Sequence, residues 1–310
     1  MKIVILAGGV GGAKFVDGAV RALPAEDVTV IVNTGDDFEL FGLYLAPDLD
    51  TVCYTLAGIA NAETGWGRTN ESWNALKNAV TLGGPGWFNI GDKDLGTHLE
   101  RTRRMQQGET LTTITKAFCN TWGIKANVFP MSDVHIPTMV KIGDGNSLPF
   151  QSYFVEQQCR PVVTGFEFRG VERAKPAPGV LEAIEHCNYV IFAPSNPWVS
   201  IGPILAIKDI SKAIAKKKVI AISPIVGGKA IKGPAAKMYQ ELGIEPSAYS
   251  IARHYQGTIQ SLVIDQIDTA LAEKIQACGI IPYVTDTIMS DINARQRLAD
   301  EVMKFCSKLP

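Results

Sequence analysis

The first apolar run of the sequence, Lys2–Leu6, leads into Gly8-Gly9-Val10-Gly11-Gly12-Ala13-Lys14. Four glycines in five residues let a backbone turn tightly and offer N–H groups to phosphate, with the positive end of a following helix behind them. The loop matches neither familiar fingerprint. The pattern GxxxxGKS or GxxxxGKT fails because Lys14 lies between Ala13 and Phe15, and GxGxxG fails because its third glycine falls on Lys14. A strand-to-helix turn without ligand is the plainer alternative. Four glycines exceed what such a turn requires, so Gly8, Gly9, Gly11, Gly12 and Lys14 are read as a phosphate or nucleotide site.

Carboxylates follow the second apolar run. Asp36 and Asp37 close Asn33-Thr34-Gly35-Asp36-Asp37, and Asp48 and Asp50 lie in Pro47-Asp48-Leu49-Asp50-Thr51, which makes four aspartates in fifteen residues. An acidic residue at a second strand end holds a ribose in many dinucleotide enzymes. Asp36, Asp37 and Asp50 equally suit a magnesium site beside phosphates. The plainer reading makes Asp50 a helix N-cap and Asp36 and Asp37 turn residues. Further on, Asn89-Ile90-Gly91-Asp92-Lys93-Asp94 sets a cation between two carboxylates. Lys93 there is a candidate phosphate ligand oriented by Asp92 or Asp94; His98 reads as a packed histidine. Small polar loops recur at Pro130–Asp133, at Pro194-Ser195-Asn196-Pro197, at Ser223–Gly228 and at Lys232-Gly233-Pro234. Ser195, Asn196 and Ser223 supply neutral donors and acceptors without bulk, suited to a base and ribose.

These loops need a frame. Lys2–Leu6, Val28–Val32, Ala126–Phe129, Tyr189–Phe192, Val219–Ile222 and Leu262–Ile264 are continuous β-branched or apolar runs, as strands covered on both faces must be. Helical patterns separate most of them: Ala13–Ala22, Asp50–Asn61, Glu71–Val80, Asp94–Gln107, Leu111–Trp122, Pro178–His186, Ala235–Leu242 and Asp291–Ser307. Strand–helix alternation predicts an α/β, doubly wound, mostly parallel sheet, whose ligands bind beyond the strands' carboxyl ends. From about 50 to 122 the pattern gives four helices and no strand, a helical insertion over the sheet. Val140–Phe168 reads as short antiparallel strands. No linker or repeat divides residues 1–310, which are expected to form one domain.

Composition narrows the classes. Hydrophobic residues make up 46% of the 310 and charged residues 20%, which excludes a disordered chain. A chain this long buries about 75% of its unfolded surface and folds without staples. Thirty basic against 31 acidic residues give a net charge of −1, and with no Lys/Arg block nucleic-acid binding is excluded. The six cysteines and four histidines show no metal-ligand spacing, and reduced, mostly buried thiols are expected. Met1–Ala7 is too short for a signal peptide. The uncharged stretch Tyr189–Ile207 carries three prolines and is expected not to span a membrane. A cytoplasmic location is the expectation.

Taken in order, the motifs resemble the 2-phospho-L-lactate transferase family, which serves coenzyme F-420 biosynthesis. The segments that carry the resemblance are LAGGVGGAKF at Leu6–Phe15, VNTGDD at Val32–Asp37, PDLDTV at Pro47–Val52, GDKDLGTH at Gly91–His98, GIKANVFPMSD at Gly123–Asp133, APSNPWVSIGPIL at Ala193–Leu205 and SPIVGGKAIKGPAAK at Ser223–Lys237. The resemblance implies a Rossmann-like fold and a magnesium-dependent transfer. In it the ribityl hydroxyl of Fo, the 7,8-didemethyl-8-hydroxy-5-deazariboflavin, attacks the β-phosphate of a guanosine diphosphate-linked three-carbon acid, and GMP leaves. It places Asp50 and Lys93, at a position where some members carry Arg, against Fo, and the glycine, Asn196 and Ser223 loops against guanosine and phosphates. It makes the helical insertion part of the acceptor pocket, and Asp50 the candidate to accept or position the hydroxyl proton. The GGVGGAKF form sits closer to bacterial members than the archaeal GGTGTPK form, which favours an enolpyruvyl over a lactyl donor. A homodimer is compatible with the resemblance, and Trp66, Trp73 and Trp87 suit either a deazaflavin pocket or an interface.

Two rivals are weaker. A nucleotide-sugar-binding regulator of the same superfamily needs the glycine loop but not PDLDTV and GDKDLGTH. An NAD-dependent dehydrogenase is disfavoured by the broken GxGxxG and by the lack of a hydride-transfer acid.

Overall fold

Seven parallel strands form the central sheet of the computed structural model, which describes residues 1–230 and 235–309. In chain order the strands are β1 (Ile3–Ala7), β2 (Val28–Val32), β3 (Phe38–Leu40), β4 (Leu43–Leu45), β5 (Asn127–Pro130), β6 (Thr138–Ile142), β7 (Ser147–Pro149), β8 (Val163–Phe168), β9 (Tyr189–Phe192), β10 (Lys218–Ile222), β11 (Ile225–Val226), β12 (Lys229–Ala230), β13 (Ser261–Asp265) and β14 (Ile281–Thr285). The central sheet runs β14-β13-β10-β9-β1-β2-β5. The chain starts at the middle, winds outward through β2 and β5, then returns to the other side of β1 with β9. The order therefore reverses between β1 and β9, whose residues pair as Ile3↔Tyr189 through Leu6↔Phe192. That reversal opens a crevice above their carboxyl ends, where open α/β sheets take ligands.

The continuous apolar runs have the expected cause. β1, β2 and β13 are buried along their whole length, and alternate residues enter opposite layers because strand side chains alternate faces. Ile3, Ile5, Ala7, Val30 and Val32 pack on one side with Phe15, Leu49, Val52 and Leu298. Val4, Leu6 and Ile31 pack on the other with Ile184, Ile204, Ile210 and Ile251.

Four helices fill the segment between β4 and β5: α2 (Pro47–Leu56), α3 (Asn74–Thr81), α4 (Asp92–Gln106) and α5 (Leu111–Thr121), following α1 (Gly9–Ala22) in the chain. The insertion thus has its four helices, with one isolated bridge, Ala60↔Arg68, as its only extended pairing among the described residues. α2 begins three residues earlier than the sequence pattern suggested, at Pro47, because proline suits the first helical turn. β6, β7 and β8 form the antiparallel sheet expected over Val140–Phe168. All six cysteines are free thiols, four of them buried. No helix among the described residues is long and apolar enough to cross a membrane.

Candidate functional site

One cleft of about 600 Å³ opens at the switch point and runs from the glycine loop to the helical insertion. Its sheet end is lined by Gly8–Gly11, Lys14, Asp36, Asp48, Ser195, Asn196 and Ser223; its insertion end by Asp50, Tyr54, Trp66, Phe88, Asp94 and His98. Phe150 and Phe154, stacked at 5.4 Å, close the side nearest the three-stranded sheet. A side cavity of about 290 Å³, shared at Trp66, Asn89 and Asp94, lies between Arg68, Glu71 and Trp73.

The glycine loop is built for close approach. Gly9 sits at φ +64°, a left-handed conformation that side chains rarely adopt. A Cβ on Gly11 would lie 2.6 Å from the Pro194 carbonyl oxygen, so the loops after β1 and β9 touch backbone to backbone. Gly12 serves packing instead, since its Cβ would lie 2.6 Å from Ser195 Oγ and it does not line the cleft. Two of the amides expected to face phosphate are already used. Gly8 N–H donates to Ser195 Oγ at 3.1 Å, and Gly9 N–H donates to Asp48 Oδ1 at 2.7 Å. An α-helix leaves its first N–H groups without intrahelical partners, and α1 has no side-chain cap. Val10 and Gly11 therefore carry the remaining anion-binding capacity. Lys14 lines the cleft and donates to the Met289 carbonyl at 3.0 Å.

The neutral loops stand where expected, with their polar atoms largely engaged. Ser195 Oγ donates to Gly8 O at 2.7 Å. Asn196 Oδ1 caps the turn at Pro197–Ile201 by accepting from the N–H groups of Trp198 and Val199. Ser223 Oγ donates to Ile225 O at 2.8 Å. These side chains shape the wall, and the backbone they hold is what faces a ligand. Lys232–Pro234 lie outside the described residues.

The aspartates separate into two groups. Asp36 and Asp48 are buried at the sheet end. Asp48 also accepts from Asn33 Nδ2 at 2.9 Å. Burial pushes its carboxyl up to about 6, with the Asn33 and Gly9 hydrogen bonds restraining the rise. Burial and the charge of Asp48 push Asp36 well above the ordinary carboxylate value, and Asp36 Oδ1 has no hydrogen-bond partner among the described residues. Two buried aspartates at one end of the cleft, the charge of Asp48 raising Asp36 and one Asp36 oxygen lacking a hydrogen-bond partner among the described residues, fit a divalent cation. Asp37 lies outside the cleft lining; its Oδ2 accepts from Tyr44 OH at 2.8 Å, and its Oδ1 has no hydrogen-bond partner among the described residues.

Asp50 belongs to the other group and is not a helix cap; the N-cap of α2 is Ala46. Its carboxylate is gripped by the buried Arg101, Nη1 donating to Oδ2 at 3.0 Å and Nη2 to Oδ1. Burial alone would lower the guanidinium pKa, and Asp50 more than reverses that, raising it. His98 stands beside them, Nδ1 3.2 Å from Arg101 Nη1 and 3.7 Å from Asp50 Oδ2. Its Nε2 lies 3.4 Å from Asp94 Oδ2, and Tyr54 OH donates to Asp94 Oδ1 at 2.7 Å. Asp50, Asp94 and His98 bring ligand atoms within 4.8 Å of one another, but Arg101 already takes both oxygens of Asp50, leaving Asp94 as the one carboxylate of the three without a cationic partner. A metal is better served by Asp36 and Asp48.

Lys93 departs from expectation. It is exposed, lines neither cavity, and its ammonium donates to the Thr69 carbonyl at 3.2 Å. Asp92 does not orient it, because its oxygens bind Ser72, Asn74 and the Ala75 N–H ahead of and within α3. The sequence reading missed Arg101 and set His98 aside. Their signal was present: Asp94, His98 and Arg101 recur at i, i+4 and i+7, one face of a helix, and that face is the buried one.

Fold and cleft define a doubly wound α/β protein whose main cleft lies at the switch point between β1 and β9. The chain belongs to the family described as 2-phospho-L-lactate transferase CofD, whose model matches residues 3–303. It is 42% identical over 316 residues to the phosphoenolpyruvate transferase of Streptomyces griseus, covering 100% of this chain and 99% of that protein. It is 35% identical over 302 residues to the 2-phospho-L-lactate transferase of Methanosarcina mazei, covering 97% and 99%. A crystal structure of a UPF0052 family member from Bacillus halodurans superposes with a TM-score of 0.64 at 16% identity over 98% of this chain and 100% of that one, a likeness of fold.

Proposed function

We propose that this transferase moves a phospho-three-carbon-acid group from a guanosine diphosphate-linked donor to the ribityl hydroxyl of Fo, releasing GMP, in coenzyme F-420 biosynthesis. The supporting observation is the single cleft that joins the N-terminus of α1 and a buried aspartate pair to an aromatic-walled pocket in the helical insertion. A diphosphate suits the first end and a flat, largely apolar heterocycle the second.

The donor's guanosine and phosphates lie along the loops of β1, β9 and β10, with Val10 and Gly11 N–H groups on phosphate oxygens. Asp36 and Asp48 are the residues that would hold magnesium, which when bound would neutralise charge on the diphosphate. The leaving group is a phosphate monoester, so the chain's task is alignment and charge compensation rather than strong acid catalysis. Fo sits against Tyr54, Trp66 and Phe88, with Asp50 as a fixed polar wall. Lys93 acts at the rim, raising the local concentration of the anionic donor. The 42% identity to a protein named for phosphoenolpyruvate, against 35% to one named for 2-phospho-L-lactate, supports an enolpyruvyl donor.

The test is GMP release by purified protein with donor and magnesium. Release that requires Fo, matches its consumption mole for mole and stops with EDTA supports the reading. GMP formed equally without Fo, or donor bound without any turnover, would replace it with a hydrolase or a nucleotide-binding regulator.

A further inference from the structure

We propose that Asp94, not Asp50, accepts the proton of the attacking hydroxyl, with Tyr54 and His98 holding it in place. This rests on the transferase reading above and assigns a residue to its chemical step.

The two carboxylates differ in what protonation would leave behind. Asp50 is the sole carboxylate hydrogen-bonded to Arg101 among the described residues, and Arg101 is 1% exposed. A proton on Asp50 would strand a buried guanidinium without its counter-charge, which is costly. Asp94 has no such debt. Its oxygens face the Tyr54 hydroxyl and His98 Nε2, and both partners are neutral in the state the geometry sets.

That state follows from Arg101. A guanidinium only donates, so His98 Nδ1, 3.2 Å from Arg101 Nη1, must present its lone pair. The imidazole proton is then on Nε2, directed to Asp94. Charge argues the same way, since a second proton on Nδ1 would point a cation at a cation. Nε2 has no well-aligned hydrogen-bond partner in the free protein and can follow Asp94 as it turns to a bound hydroxyl. The groups facing Asp94 are Tyr54 and Asp50 from α2, His98 and Arg101 from α4, and Glu71, which accepts the Asp94 N–H at 2.8 Å. Burial raises the Asp94 carboxyl, but the close His98 imidazole, the Tyr54 hydrogen bond and the Arg101 charge bring it below the ordinary value. It is therefore ionised at neutral pH and able to act. Asp94 also lines both the main cleft and the side cavity, so it can reach a hydroxyl arriving from the aromatic end.

In the step itself the hydroxyl O–H bond breaks and its proton passes to an Asp94 oxygen. The new bond forms from that hydroxyl oxygen to the donor's β-phosphorus. The bond from phosphorus to the bridging oxygen breaks, and its electron pair leaves with GMP.

Turnover and Fo binding, followed by its fluorescence, would be measured for wild type and for Asp94→Asn, Asp94→Glu and His98→Gln. Asp94→Asn should lower kcat by about 10²–10⁴-fold with Fo affinity within threefold of wild type, and Asp94→Glu should recover part of the loss. His98→Gln should lower kcat less than Asp94→Asn does and move the acidic limb of its pH profile upward, because the imidazole N–H that favours the ionised carboxylate is lost. An Asp94→Asn enzyme within fivefold of wild-type kcat overturns the assignment. So does an unmoved pH profile in His98→Gln, which remains decisive if Asp94→Asn does not fold. An inert wild type that binds Fo and donor overturns the transferase reading, and this step with it.

Discussion

Arg101 reaches from α4 across to α2 and takes both carboxylate oxygens of Asp50, inside the protein, at the floor of the cleft. The pair ties α2 to α4 beside the cleft, so its loss should be felt in stability before chemistry. Removing one partner of a buried pair leaves an uncompensated charge and costs about 3–5 kcal/mol. Arg101→Met should lower the denaturation midpoint by that equivalent, and the double variant with Asp50→Asn should regain most of it. A single variant within about 1 kcal/mol of wild type would show the pair to be incidental.

Asp48 should give the metal-free protein a stability that falls as pH rises. Its folded pKa of about 6 stands above the ordinary 3.8, so its contribution to stability is full below pH 3.8 and is lost as pH rises through 6. The expected loss is about 3 kcal/mol. In EDTA, stability should fall from pH 4 to 7 for wild type and much less for Asp48→Asn. Magnesium at pH 7.5 should raise the melting temperature of wild type and leave Asp48→Asn unmoved. An identical magnesium response in both would remove Asp48 from the metal site.

Gly11 predicts a change of geometry rather than of charge. A methyl group there meets the Pro194 carbonyl oxygen at 2.6 Å, and both atoms belong to backbone, so the loops must part. Gly11→Ala should cost about 1–3 kcal/mol and weaken guanosine diphosphate binding at least tenfold by calorimetry. Unchanged affinity would mean that the helix N-terminus does not hold the phosphates.

Lys93 separates steering from contact. Exposed and bonded to the Thr69 carbonyl, it should influence encounter and not the chemical step. Lys93→Ala is expected to raise the donor KM a few-fold, more at low salt, with kcat within twofold. A tenfold loss of kcat would restore the inner role that the family resemblance implied.

The sheet was legible because its signal is local. β2 and β9 fall where continuous apolar runs place them, and the other internal strands shift by a residue or so. β14 was missed for a physical reason: it is an edge strand, half-exposed, interrupted by Pro282 and only partly apolar. The β3–β4 hairpin is three residues a side, too short for a period to register. The glycine loop and the Ser195, Asn196 and Ser223 turns were readable because ligand loops follow strand ends. What a motif could not show is which polar groups spend themselves internally. Gly9 N–H and Asp48 satisfy each other across 39 residues, and Asp50 meets Arg101 across 51. Such pairings are set by how α1, α2 and α4 pack, and no spacing within one segment encodes them.

Transfer of a phospho-acid from a guanosine diphosphate to Fo within one cleft is directly measurable. The most direct measurement mixes the protein with Fo, magnesium and the enolpyruvyl, lactyl and glyceryl donors in competition, and weighs the products. The account predicts a product heavier than Fo by one phosphoenolpyruvyl group, in the largest yield, formed with GMP and only with metal. Fo recovered unchanged while the protein binds both substrates would contradict it.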